Sequence, residues 1–277
     1  MGKLKVWFTV IVISLLMFTM TGCKKNSSVD LKPSFNAAND VILSNRPFIY
    51  VFNMLVRAVT DSVLQQTHHA VIDSAELSFD HLTNQYVFQF SGKMGHDSVR
   101  RYGSFRATLD SNFFIPGTSV GITFQGYAED SHSITGIDSI LNTGISTDGK
   151  LGFVNSIREA LISKDTIRVI RWQALQTCYL DPTVFSSHPD SALIRIEGSG
   201  QGVSSMGFTF STTISTPLQD LLSCPWIRGG IIALSIPEAP VQTGTINFSN
   251  PGCTDKVIYD FEGTIYYWKL KNKYLQH

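Results

Sequence analysis

The sequence predicts a mainly β body, either an antiparallel sandwich or a large curved sheet, with one N-terminal amphipathic helix. Beyond Ala70 the chain breaks into short runs rich in Val, Ile, Phe, Thr and Tyr, punctuated every 8 to 14 residues by Gly, Asp, Asn and Ser. Within these runs Tyr86, Phe88 and Phe90 alternate with Val87 and Gln89, Phe208 and Phe210 with Thr209, and Ile246 and Phe248 with Asn247. Period two is the mark of a strand with one buried face. Ahead of them Ile49, Phe52, Val56, Val59 and Val63 recur at steps of three and four, the period of one helix face.

Taken in order, the helix is predicted over 47–66, with Pro47 in its first turn, where a missing N–H costs nothing. Its apolar stripe would dock on the sheet, leaving Asn53, Arg57, Thr60, Asp61 and Gln65 in water. About a dozen strands follow, among them 70–79, 85–91, 99–109, 119–128, 165–175, 190–198, 205–214, 230–236, 242–248 and 257–270. A weak echo runs through them. Phe90 precedes Asp97 by seven residues, as Phe248 precedes Asp255. Residues 39–277 therefore read either as one β-rich body whose hairpins look alike or as two related halves, about 70–180 and 190–277.

The first residues have a different logic. Met1 to Lys5 carry two lysines and no acid, and Val6 to Met20 is an almost unbroken apolar run of fifteen residues. Such a run falls short of the roughly 18 to 20 residues that span a bilayer. It has the form of a secretory signal over residues 1–22, cut after Gly22. Met20-Thr21-Gly22-Cys23 resembles the lipobox of bacterial lipoproteins, with Met20 where leucine is commoner. The resemblance implies that Cys23 is the lipid attachment site. Two or three palmitate-like chains would then anchor the mature protein without spanning, at about 0.8 kcal/mol per buried methylene. Lys24 follows the cysteine, not the aspartate of inner-membrane retention, so the expected location is the outer membrane, facing the periplasm. Residues 23–38 read as a polar tether.

Removing residues 1–22 leaves 277 − 22 = 255 residues and 22 − 2 = 20 basic against 22 acidic side chains, a net charge of −2. That balance offers no field to hold nucleic acid. Cys178, Cys224 and Cys253 remain. Cys224 and Cys253 flank the strand-like Gly229–Ile236 and Thr243–Phe248 and are the favoured disulfide, closing a loop for roughly 3 kcal/mol. The alternative is three buried thiols behaving as small apolar residues.

Of 16 aspartates, eight precede Ser or Thr, where 49 such residues in 255 predict about three. Asp-Ser/Thr-aliphatic resembles the acceptor of Bacteroidota protein O-glycosylation, which makes Ser74, Ser98, Ser139, Thr166 and Ser191 candidates, with Ser62 the weakest. Turn chemistry is the competing reading, because Asp and Ser side chains bond their own backbone just before a strand.

No local catalytic signature stands out in the sequence. Gly198-Ser199-Gly200 and Gly202-Val203-Ser204 lack the Gly-x-Ser-x-Gly spacing of a nucleophile elbow and read as a glycine-rich turn. The histidines, at 68, 69, 81, 96, 132, 188 and 277, include no i, i+4 pair for a metal. No phosphate loop, dinucleotide fingerprint or other cofactor motif occurs. Glu129-Asp130 could serve a glycosidase. Trp172, Trp226, Tyr266, Tyr267 and Trp268 could stack on sugars if they share an exposed face, although core packing is the commoner role of such residues.

The order of these elements resembles that of a family of uncharacterised Bacteroidota outer-membrane lipoproteins. The carrying residues are the Phe52-Asn53 to Asp61 helix, Asp73-Ser74-Ala75, Arg101-Tyr102-Gly103, Ile122-Thr123-Phe124, Gly136, Asn142-Thr143-Gly144, Cys224 to Gly230 and Gly252 to Lys256. The resemblance implies a cellular setting and no chemistry. The expected function is that of a non-enzymatic, membrane-anchored module holding a protein or glycan partner. A glycan- or ester-directed hydrolase with residues on distant loops is the alternative.

Overall fold

The structure, a computed structural model, describes residues 32–187, 189–238, 243–248 and 252–270. It is mainly β, with fourteen strands in one open antiparallel sheet, each paired with its neighbours in sequence. Of the two predicted arrangements the large curved sheet is the one present. The strands are β1 (His69–Ile72), β2 (Ala75–Asp80), β3 (Gln85–Met94), β4 (Arg100–Leu109), β5 (Ser119–Glu129), β6 (His132–Ile145) and β7 (Leu151–Ser163). They continue as β8 (Val169–Leu180), β9 (Leu193–Val203), β10 (Thr209–Leu221), β11 (Gly229–Ser235), β12 (Thr243–Asn247), β13 (Lys256–Phe261) and β14 (Thr264–Lys269). Helices α1 (Lys32–Thr60) and α2 (Ser62–Thr67) precede the sheet, and α3 (Pro182–Ser187) links β8 to β9.

Helix α1 is longer than predicted. Its 29 residues span about 43 Å, it takes in residues 32–38 of the predicted tether, and Pro47 lies inside it. The apolar period is masked before residue 46 because that half carries polar residues that are buried and bonded. Ser44 and Asn45 donate to the carbonyls of Asp40 and Val41, Asp40 accepts from Ser205, and Asn39 accepts from Tyr259. Ala37, Val41, Phe48, Val51, Leu55 and Ala58 are buried completely. A helix buried on all sides is a core helix, and α1 packs against β1, β7, β8, β12 and β13, the start, middle and end of the sheet. The sheet is curled around it. At Asp61 the predicted helix breaks, because the Asp61 carboxylate caps α2 by accepting from the Leu64 N–H at 2.7 Å.

Bulges supply the curl. Register shifts fall between Tyr102 and Ser104, Ile122 and Ala128, Thr135 and Ile137, and Ile157 and Ala160. Gly103 has φ +72°, and a Cβ there would lie 2.1 Å from the Gly126 carbonyl oxygen. Two strand predictions and one turn reading need correction. Residues 70–79 and 257–270 are each a hairpin, turning at Asp73 (φ 55°) and Glu262 (φ 49°), and the glycine-rich stretch 198–202 lies within strand β9, not a turn. There Gly200 makes room for Trp172, whose indole would sit 2.2 Å from an added Cβ. Strands β8 and β9 pair continuously from Arg171↔Val203 to Tyr179↔Arg195, so one sheet runs across the boundary between the two stretches 70–180 and 190–277.

Candidate ligand cleft

Along one side of α1, Arg46, Ile49, Tyr50, Asn53 and Arg57 recur at steps of three and four and face a cleft of about 90 Å³. Opposite them stand Asp73 from the β1–β2 turn and His96 and Asp97 from the β3–β4 turn, together with Leu218 and Asp220 of β10 and the Leu222–Ile227 segment. The curled sheet thus brings residues from both of its ends to the same side of the helix. Ile42, Met54, Ile232, Phe248 and Leu270 complete walls that are mostly apolar.

One end of the cleft rests on a buried ionic box. Arg101 is 0% exposed and donates to both oxygens of Asp97, at 3.0 and 2.5 Å, and to Glu129 at 2.9 Å. Arg46 donates to the other Glu129 oxygen at 2.8 Å, and the Tyr127 hydroxyl donates to Glu129 at 3.0 Å. The Tyr50 ring lies 3.4 Å from the Arg101 guanidinium, a cation–π contact, and its hydroxyl donates to Asp73 at 3.1 Å. Asp73 also accepts the His96 backbone N–H at 2.8 Å and lies 3.3 Å from His96 Nδ1. Burial alone would raise the Glu129 pKa, but the charges and hydrogen bonds of Arg101 and Arg46 outweigh it and hold the carboxyl at about 2. Asp73 is likewise held at about 2, burial being outweighed by its hydrogen bonds from His96 and the charges of His96 and Arg101. Gly95 is fitted between these groups, since a Cβ there would lie 2.8 to 3.0 Å from Asp73, Asp97 and Arg101.

The middle of the cleft is different. Asp220 is 3% exposed, and burial pushes its pKa up to about 6 against the hydrogen bond from Asn53 and the charge of Arg57. Asn53 Nδ2 donates to Asp220 at 2.6 Å, while Asn53 Oδ1 is buried without a donor. Arg57 donates to the Leu222 carbonyl. Asn53 and Arg57, predicted to face water, are therefore half-buried parts of this site. The four-three-four spacing of Arg46, Tyr50, Asn53 and Arg57 was the sequence signal for it, hidden because polar residues on an apolar helix look like its wet side.

The structure places the other sequence candidates elsewhere. Gly22 and Cys23 lie outside the described residues. Cys224 and Cys253 form a disulfide, with Cys224 on the cleft wall, and Cys178 is a buried thiol. Thr166, in the bend between β7 and β8, and Ser191, at the end of a short 3-10 helix, are exposed, Ser98 and Ser139 are half-buried, and Ser74 is buried, so Ser74 offers no accessible hydroxyl. Glu129 and Asp130 do not act as a pair, since Glu129 is locked in the box and Asp130 accepts from the Arg100 N–H at a turn. The aromatic residues share no exposed face. Trp172 is buried, Tyr266 and Trp268 pack edge-on against Phe35, and Tyr267 points out of the opposite side, 80% exposed.

Among the described residues no group of His, Cys, Asp and Glu is placed to hold a metal ion, and no helix is long and apolar enough to cross a membrane. Fold and cleft define a class, a curled antiparallel sheet wrapped on a central helix with a small amphiphilic cleft between them. Comparison with protein-family models, curated proteins and solved structures finds no match.

Proposed function

We propose that this chain is an exported bacterial envelope lipoprotein, acylated at Cys23, whose β body binds a small amphiphilic ligand in the α1 cleft. The observation that carries the binding reading is the cleft itself, with mostly apolar walls and a few convergent polar groups, the usual make-up of a ligand site. At about 90 Å³ it is well below the roughly 300–1,000 Å³ of pockets for drug-sized ligands, so the ligand is small. The lipobox-like Met20 to Cys23 supports the anchor, and Lys24 after it supports the outer membrane, facing the periplasm. Among the uncharacterised Bacteroidota lipoproteins it resembles, it would be a ligand-binding member, and exposed Thr166 and Ser191 are the acceptors best placed for a glycan.

Intact-mass measurement of the protein from its native membrane tests the anchor. A mass for residues 23–277 plus acyl chains is expected, with sugar units if the acceptors are used, and the unprocessed 30.7 kDa would overturn it. Binding is tested by Trp226 fluorescence with small apolar probes and loses its basis if none perturbs the signal.

A second reading, a hydrolase, draws on one observation. Asp220 is raised and Asp73 lowered in the same cleft, the divergence expected of an acid and a base. Asp73 is occupied by Tyr50 and His96, which favours binding. Turnover of glycan or ester substrates that Asp220→Asn abolishes would reverse that order.

A further inference from the structure

We propose, resting on the binding reading above, that the cleft selects a cation: a small primary ammonium compound whose nitrogen sits at Asn53 and Asp220 and whose compact apolar body lies against Leu218, Leu222 and Trp226. Hydrogen-bond supply is the first argument. Asn53 Oδ1 is a buried acceptor with no donor, beside an Asp220 carboxyl that receives the other end of the same amide. The nearby cations are engaged elsewhere, Arg57 with the Leu222 carbonyl and Arg46 with Glu129. An ammonium group brings three donors and no acceptor, so it supplies the donor that Asn53 Oδ1 lacks while its charge pairs with Asp220.

Charge gives the second argument. In the middle of the cleft a carboxylate ligand would meet the Asp220 carboxyl, whereas an ammonium would pair with its ionised form. Asp220 faces Asn53 and Arg57 from α1, His96 from the β3–β4 turn and the Cys178 thiol from β8. Its carboxyl, at about 6, is partly protonated near neutrality in the free protein. A bound ammonium favours the ionised form, so binding strengthens as pH rises through that value.

The test uses the mature acylated protein in lipid nanodiscs and three isosteric probes, n-butylammonium, n-butanol and butyrate, read by Trp226 fluorescence with Trp226→Phe as the blank. Butylammonium should bind at least tenfold more tightly than either other probe, more tightly at pH 7.5 than at 5, and at least tenfold more weakly to Asp220→Asn. Asn53→Ala, whose circular dichroism must match the parent, should weaken it as well. Equal or tighter binding of butanol or butyrate, or unchanged binding to a folded Asp220→Asn, overturns the ammonium proposal while leaving a binding cleft. No binding by any of the three overturns both.

Discussion

Arg101 and Asp138 are two opposite ways of burying a charge. Arg101 is paired with two carboxylates and an aromatic ring. Asp138 on β6 is 1% exposed, and neither of its oxygens makes a hydrogen bond. Burial raises its pKa to about 8, opposed only by the Ser139 backbone N–H. With its carboxyl buried and without a hydrogen-bond partner, the protonated form of Asp138 is the one the fold favours. Unfolded aspartate titrates near 3.9, below the folded value, so the folded state holds a proton the unfolded chain releases. Its stabilising contribution is complete below pH ~4 and is lost as pH rises toward 8, at about 1.4 kcal/mol per unit. Asp73 and Glu129, held near 2, run the other way, contributing above pH ~4 and losing that as pH falls toward 2. Urea midpoints should therefore peak near pH 4 to 5 and decline toward 8, and Asp138→Asn should flatten the alkaline limb and be the more stable protein at pH 8. A parent profile flat from 5 to 8 would contradict this account. None of it was legible in the sequence, where Asp138-Ser139-Ile140 looks like any other turn or acceptor triplet.

At the scale of elements, α1 and the bulges decide the shape. Pro47 within α1 has no N–H to offer the Leu43 carbonyl, a penalty of about 3 kcal/mol in an isolated helix, and the burial of Phe48, Val51, Phe52 and Leu55 around it outweighs that. The helical period was readable from Ile49 onward because those residues are apolar. It was not readable from Lys32 to Asn45, since a buried Asn or Ser bonded to its own helix looks the same in sequence as an exposed one. The bulge glycines can be tested against a matched control. Gly103 and Gly117 both have positive φ, but an added Cβ at Gly117 meets nothing within 4 Å, whereas at Gly103 it meets the Gly126 carbonyl at 2.1 Å. Gly117→Ala should cost about 1 kcal/mol from backbone strain alone, and Gly103→Ala about 3 kcal/mol or more. Equal urea midpoints for the two would show that the close approach at β4–β5 does not hold the bend.

For the whole molecule, the curl is closed off chemically near the cleft. The Cys224–Cys253 disulfide joins the segment after β10 to the segment before β13, 29 residues on, and Cys224 lines the ligand wall. Loop closure of that length is worth about 3 to 4 kcal/mol. Cys224→Ala/Cys253→Ala should lower stability by roughly 2 to 4 kcal/mol and weaken probe binding in the cleft. Retention of both in the double variant would mean that packing alone positions the wall.

By itself the sequence determined what local chemistry governs: period-two strands, the apolar half of the helix, and the cysteine pair favoured by its flanking strands. Those features need only near neighbours in the chain. Tertiary structure alone decided that the sheet curls instead of stacking into a sandwich, because the bulges that bend it add one residue each and leave the alternation nearly intact. It also decided the site, since Asn53 meets Asp220 across 167 residues of sequence and Arg46 meets Glu129 across 83. Spacing rules see a few residues at a time, and this cleft exists only where the two ends of the sheet meet the same face of one helix.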